Sequence, residues 1–350
     1  KALAEGRCDI PLHNPSLEKF EQNVEDWWRA FCESTQELCQ KIDINEVDGL
    51  AISNQRETLA KLDSSGKEVY PATVWMDKRS VKEVEELNSI MGEGRIHEIT
   101  GRPKDPCPCL YRVLWMKNHE KKFFDQIDCF ADVQAFLVHR LSGEFNTGWI
   151  SSDPHGMFDV VNKCWSQEIL EQLAIDESRL PKSFKPGTLI GKVNQKASKE
   201  TGLKEGTPIF AAGGDGQLAG LGTNCTKSDR AYINLGTAVV SGVWSQDYKI
   251  SNIKQNDVFD EGIVKRIFLT KDGDINLITN STLTKSFLIS TKNTEYKKLN
   301  KKSNEFEQYQ AKARLNLINK IYQSYDENAN QKYKVEINQR TIDRVKNSFQ

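Results

Sequence analysis

Pro208-Ile209-Phe210-Ala211-Ala212-Gly213-Gly214-Asp215-Gly216-Gln217-Leu218-Ala219-Gly220-Leu221-Gly222 is the stretch whose reading decides the fold. A short apolar run breaks into a Gly-Gly-Asp-Gly turn and resumes as a small-residue helix, the pattern of a strand-to-helix corner. Glycines on both sides let backbone and ligand come close to the single carboxylate. Taken alone, an Asp in such a turn is more often an Asx-turn or a helix cap than a catalyst. Downstream, Tyr232-Ile233-Asn234-Leu235-Gly236-Thr237-Ala238-Val239-Val240 reads as a strand interrupted at Gly236-Thr237. Such a turn presents backbone N–H groups and a hydroxyl to a phosphate. An isolated Asp followed by a phosphate-type turn points to phosphoryl transfer to an alcohol.

The rest of the composition narrows the class. With 350 residues the chain has room for two domains and a sizeable core. A net charge of −1 gives no electrostatic reason to expect nucleic acid or an anionic membrane as partner. No apolar run reaches membrane-spanning length, and Lys1-Ala2-Leu3-Ala4-Glu5-Gly6-Arg7 has no signal-peptide pattern. The eight cysteines form no paired CxxC framework and read as reduced thiols of a cytoplasmic protein. Cys107-Pro108-Cys109 has no second pair to complete a metal site, so none is expected.

Outward from the central stretch, helical and strand periods alternate. Leu17 to Cys39 carries Leu17, Val24, Trp27, Trp28, Phe31 and Leu38 at helical spacing, and the Trp pair reads as core. Val47 to Ile52 reads as a buried strand running into Ser53-Asn54-Gln55-Arg56-Glu57-Thr58. A polar cluster at a strand end is either a set of ligand contacts or a solvated turn with an Arg–Glu pair. A hairpin is expected from Leu59–Leu62 to Thr73–Trp75 around Gly66. Helices are expected over Val81–Met91, Leu110–His119, Phe130–Leu141, Trp165–Leu173 and Gln195–Thr201, with a strand over Leu189–Val193. The alternation indicates an α/β architecture. From Gln255 onward Pro, Trp and Cys disappear, Asn and Lys become frequent, and 17 Lys+Arg face 12 Asp+Glu. That segment, with a helical run around Ala311 to Tyr325, suits a small module or a partly disordered tail.

The first 250 residues resemble the FGGY carbohydrate kinases, the fold group of glycerol kinase and xylulokinase. Glu21-Gln22 with Asp26-Trp27-Trp28 looks like the segment before the family's first long helix. The 53–58 cluster is similar to the substrate-binding loop of glycerol kinase. Val74-Trp75-Met76-Asp77-Lys78-Arg79 resembles the family's W-x-D-x-R element. Arg112-Val113-Leu114-Trp115 resembles its Lys-hydrophobic-x-Trp signature, with Arg at the Lys position. Gly214-Asp215 and Gly236-Thr237 fall where the family keeps its base and its second phosphate motif.

The resemblance implies an α/β ribonuclease-H-like fold of the actin and sugar-kinase superfamily: one such domain, an incomplete second, and an unassigned C-terminal tail. It implies boundaries at 1–203 for the sugar-binding domain, lacking its first hairpin, 204–254 for the opening of the ATP-binding domain, and 255–350 for the tail. The expected chemistry is transfer of the ATP γ-phosphoryl group, with Mg²⁺, to a sugar or polyol hydroxyl. Asp215 is the expected catalytic base, with Gln55, Arg56 and Glu57 as further substrate contacts. Gly214, Gly236 and Thr237 are the expected nucleotide contacts. Gly216, where glycerol kinases carry Gln, and Cys107, in place of a loop aromatic, favour a xylulokinase-like acceptor over glycerol. A homodimer is compatible with the family. The family's opening D-x-G-T hairpin and its adenosine site are not recognisable. The alternatives are therefore a non-catalytic remnant or sugar-binding module, and, more weakly, a DNA-associated fusion through the basic tail.

Overall fold

The computed structural model describes residues 2–227, 230–235, 239–245, 275–279 and 286–290. The chain divides into two units, Lys1–Val258 and Phe259–Gln350. In the second, the described residues are an antiparallel pair of strands, Ile275–Thr279 and Ser286–Ser290, aligned from Ile275 opposite Ser290 to Thr279 opposite Ser286. The expected helical run at 311–325, and the rest of the Asn- and Lys-rich segment, lie outside the described residues.

In the first unit two sheets meet at one loop. A five-stranded antiparallel sheet takes the order His13–Ser16, Lys19–Gln22, Glu68–Thr73, Leu59–Leu62, Cys129–Ala131. A three-stranded sheet places Pro208–Gly214 between Leu189–Lys192, antiparallel to it, and Leu50–Asn54, parallel to it. Residues 55–58 carry the chain from one sheet to the other. The strand at 208–214 thus shares a sheet with 50–54 and 189–192, both earlier in the chain.

Local chemistry accounts for where the elements begin. The helix expected from Leu17 starts at Val24, because Lys19–Gln22 is taken up in backbone pairing with 68–73. The Asn23 side chain accepts from Glu25 N–H at 2.8 Å, which satisfies one of the free amides of the first turn. Leu17 itself is exposed. Similarly, the helix expected from Phe130 starts at Val133, where the Asp132 carboxylate caps Ala135 N–H at 2.9 Å. Cys129–Ala131 is a buried strand whose partner is 59–62. The hairpin's second strand is Glu68–Thr73 rather than 73–75, and Gly66 turns with φ +81°.

Two cores follow from this layout. One packs Leu87, Leu110, Tyr111, Met116, Phe130, Phe158 and Leu173 between the helices Val81–Met91, Cys109–His119 and Gln167–Leu173. The other packs Trp27, Ile52, Leu62, Phe136, Leu141, Val193 and Ile209 between the sheets and the helices Val24–Cys39 and Val133–Ser142. Each such side chain contributes roughly 1.5–3 kcal/mol on burial. Both Trp indoles are satisfied as well, Trp27 Nε1 on Gln22 Oε1 at 3.0 Å and Trp28 Nε1 on Glu200 Oε2 at 2.7 Å.

Candidate functional site

The parallel register sets Gly213 beside Ser53 and Gly214 beside Asn54. The strand-to-helix corner therefore lies against the polar loop that follows Asn54. Two glycines make this contact possible. A Cβ on Gly214 would stand 2.5 Å from Arg56 Cγ, and one on Gly213 would collide with Ile150 Cβ. Gly214 is the N-cap residue of the helix Asp215–Gly222. The Arg56 side chain crosses that cap and reaches over Gly216, whose Cβ position lies 3.6 Å from Arg56 Nη1.

Beside this corner opens a cleft of about 520 Å³. Arg56, Arg102, Lys163 and Asp153 give its wall charge, while Thr100, Gln217 and Tyr232 add polar groups. Trp149, Ile150, Phe158, Val160 and Pro186 supply apolar surface. Two buried polar atoms on this wall have no protein partner, Arg56 Nε as a donor and Gln217 Oε1 as an acceptor. With charged and polar side chains beside apolar ones, the wall suits a polyhydroxylated ligand with some apolar surface.

Behind the cleft is an alternating chain of charges. Glu57 Oε1 accepts from Arg56 Nη2 at 2.9 Å and from Arg102 Nη1 at 3.4 Å. Arg102 also grips Asp153 through two nitrogens, Nε to Oδ1 at 3.1 Å and Nη2 to Oδ2. All four side chains are three-quarters buried or more. Burial raises the Glu57 carboxyl above its ordinary pKa, and the Arg56 and Arg102 guanidinium groups oppose that shift. Glu57 sits at φ +46°, a left-handed backbone that a non-glycine residue adopts at a cost of about 1–2 kcal/mol.

The sequence-derived residues occupy different places around this geometry. Arg56 lines the cleft. Glu57 stands outside the lining, held between the two arginines. Gln55 is also outside it, donating to Gln22 Oε1 at 2.6 Å. Gly214 is buried at the helix cap. Asp215 is exposed next to it and outside the lining, with Oδ1 accepting from Gly216 N–H at 2.8 Å. Gly236 and Thr237 lie outside the described residues. The W-x-D-x-R element braces the fold away from the cleft. Its Arg79 holds Asp77 through Nε and Nη2, each at 2.8 Å, and reaches Glu21 at 2.5 Å. Trp75 is half-buried and outside the lining.

Sequence reading missed Arg102, Asp153, Lys163, Trp149 and Gln217. Arg102 sits in a stretch that reads only as loop punctuation, Gly101-Arg102-Pro103, and Asp153-Pro154 reads only as a turn initiator. Their meeting joins positions 51 residues apart, which no local pattern encodes. Gln217 alone had a local signal, since it lies two residues beyond Asp215 on the same helix.

Residues 1–222 match the FGGY family of carbohydrate kinases, N-terminal domain. The chain is 27% identical over 230 residues to a xylulose kinase of Staphylococcus xylosus, covering 65% of this chain and 47% of that protein. It is 27% identical over 238 residues to a glycerol kinase of Thermococcus kodakarensis, covering 66% of this chain and 47% of that one. The ligand-bound xylulose kinase structure from Lactobacillus acidophilus superposes with a TM-score of 0.64 at 26% identity, over 67% of this chain and 48% of that one. The chain spans about half the length of the curated relatives it matches. The structural likeness establishes the α/β fold of the ribonuclease-H-like, actin-like sugar kinases.

Proposed function

The chain belongs to the FGGY family of carbohydrate kinases, and on that premise we propose that it serves ATP-dependent phosphorylation of a sugar hydroxyl, with a xylulose-like acceptor. The observation that carries this reading is the cleft beside the Gly214 corner, lined by Arg56, Arg102, Asp153, Lys163 and Gln217 together with apolar side chains. Trp149 provides apolar surface for the carbon face of a sugar. Gly216, in place of a longer polar side chain, leaves the space over Arg56 Nη1 open and favours a sugar larger than glycerol. Residues 1–222 form the sugar-binding half on this reading, the nucleotide-binding half opens after them, and 255–350 is left unassigned.

Asp215 would accept the hydroxyl proton as the oxygen attacks, from a helix N-terminus open to solvent. ATP with Mg²⁺ would supply the γ-phosphoryl group. Of this chain's expected nucleotide contacts, Gly214 is the one described, buried at the helix cap with the Arg56 side chain packed across it. A second reading, a sugar-binding module without transfer, is favoured by the placement of Asp215 outside the cleft lining. ADP release by the 350-residue chain with D-xylulose and with glycerol separates the two. Turnover with D-xylulose that Asp215→Asn abolishes supports the kinase. Binding of D-xylulose with no turnover supports the module, and binding of neither sugar rejects both.

A further inference from the structure

Arg112 is the first-turn residue of the helix Cys109–His119 and is completely buried. A buried guanidinium ordinarily faces a carboxylate, because desolvating an unpaired charge is costly. Arg112 instead donates to three backbone carbonyls and a thiol: Glu57 O at 2.5 Å, Val74 O, Cys107 O at 2.8 Å, and Cys109 Sγ at 3.3 Å. The three carbonyls belong to three different connections. Glu57 is in the loop that carries Arg56, Val74 follows the strand 68–73, and Cys107 is in the segment that carries Arg102. The planar fork of five donors is what lets one side chain reach all three. A lysine would offer the charge with a single reaching nitrogen.

We propose that Arg112 is the positioning residue of the cleft, a clamp that fixes the distance between the Arg56 loop and the Arg102 segment. The inference rests on the sugar-binding reading above and goes beyond it to the residue that organises the wall. The relay has two steps. Arg112 captures the Glu57 carbonyl, which holds that residue in its left-handed backbone conformation. The Glu57 carboxylate, aimed by that backbone, then holds Arg56 and Arg102 together on the cleft side. Any buried guanidinium must find acceptors; what singles out Arg112 is that its acceptors lie on three separate connections, two of which carry the cleft arginines.

The test compares wild type, Arg112→Lys and Arg112→Met by backbone hydrogen exchange and by calorimetric titration with D-xylulose, at a temperature where all three are folded. The Lys variant keeps the comparison alive if the Met variant does not fold. Exchange should accelerate at residues 54–58 and 101–107 while the helix at 167–173 keeps its protection. D-xylulose affinity should fall about tenfold in Arg112→Met, the size of one lost charged hydrogen bond, and less in Arg112→Lys. In an Arg56→Ala background the Arg112 substitutions should add little further loss, because they act through Arg56. Uniform loss of protection with unchanged affinity of the folded protein would overturn the proposal and make Arg112 a core residue only. If the wild type binds no D-xylulose, the sugar reading fails and the exchange pattern alone decides: localised acceleration upholds the clamp, uniform acceleration rejects it.

Discussion

Two arginine–carboxylate clusters stand in the same domain and do different work. In the cluster of Arg79, Asp77 and Glu21, one cation faces two anions, and the Arg79 and Asp77 side chains are 3% and 0% exposed. Asp77 Oδ2 also accepts from Phe20 N–H at 2.8 Å, and the Arg79 guanidinium stacks 5.1 Å over Trp115. The second cluster, Arg56, Glu57, Arg102 and Asp153, alternates cation and anion but opens on a cleft. Its cations Arg56 and Arg102 line that cleft, whereas Arg79 does not. The difference teaches how to tell a joint from a site. A closed cluster ties the strands 19–22 and 68–73 to the turn after them, whereas an open one holds donors in place for something else to accept.

The sharpest way to break that comparison is to remove the cation of the closed cluster. Arg79→Met strands the buried Asp77 carboxylate and should cost roughly 3–5 kcal/mol of stability in chemical denaturation. Sugar affinity of the folded variant should stay at the wild-type value. A loss of less than about 1 kcal/mol, the size of a surface pair, would show that the first cluster is no joint.

A third buried pair sharpens the contrast because it contains no arginine. Asp132 Oδ2 and His155 Nε2 lie 3.8 Å apart, and both groups are fully buried. Burial pushes the Asp132 carboxyl up to about 6 and the His155 imidazole down to about 3. The two act in opposite senses. Asp132, raised, contributes stability that is fully present below about pH 4 and lost as pH rises through 6. His155, depressed, contributes stability that is present above about pH 6.5 and lost as pH falls towards 3. Asp132→Asn removes the first contribution and keeps a capping side chain. Relative to wild type, the variant should therefore lose ground on going from about pH 7 to about pH 4, by up to about 3 kcal/mol if the full shift is expressed. Parallel melting-temperature curves for the two proteins across that range would reject the assignment.

How much of this was legible in the sequence follows from which contacts are local. The corner at 208–222 was legible because a strand, a glycine turn and a helix follow one another directly. The core face of Val24–Cys39 was legible from its period, but its first turn was not, since the pairing of 19–22 with 68–73 overrides helical spacing. That Arg56 lines the cleft was foreshadowed by its polar neighbours at a strand end. Glu57 and Gln55 share that local signal and yet face other residues, Arg102 and Gln22. Arg102 and Asp153 were illegible, because their meaning comes only from a contact between distant loops. Arg112 was visible as part of a signature, and its partners are carbonyls, which carry no side-chain identity to read.

The central claim is that the open cluster is a sugar site and that Arg56 is the part of it that touches the ligand. Calorimetric titration of D-xylulose into wild type and Arg56→Ala tests it most directly. The account predicts measurable binding to the wild type and a loss of roughly 1.5–3 kcal/mol in the variant, the value of one charged hydrogen bond. Folding stability of Arg56→Ala should fall by less than that of Arg79→Met, because Glu57 keeps its contact with Arg102. Equal affinity for the two proteins, or no heat of binding to the wild type, would contradict the claim.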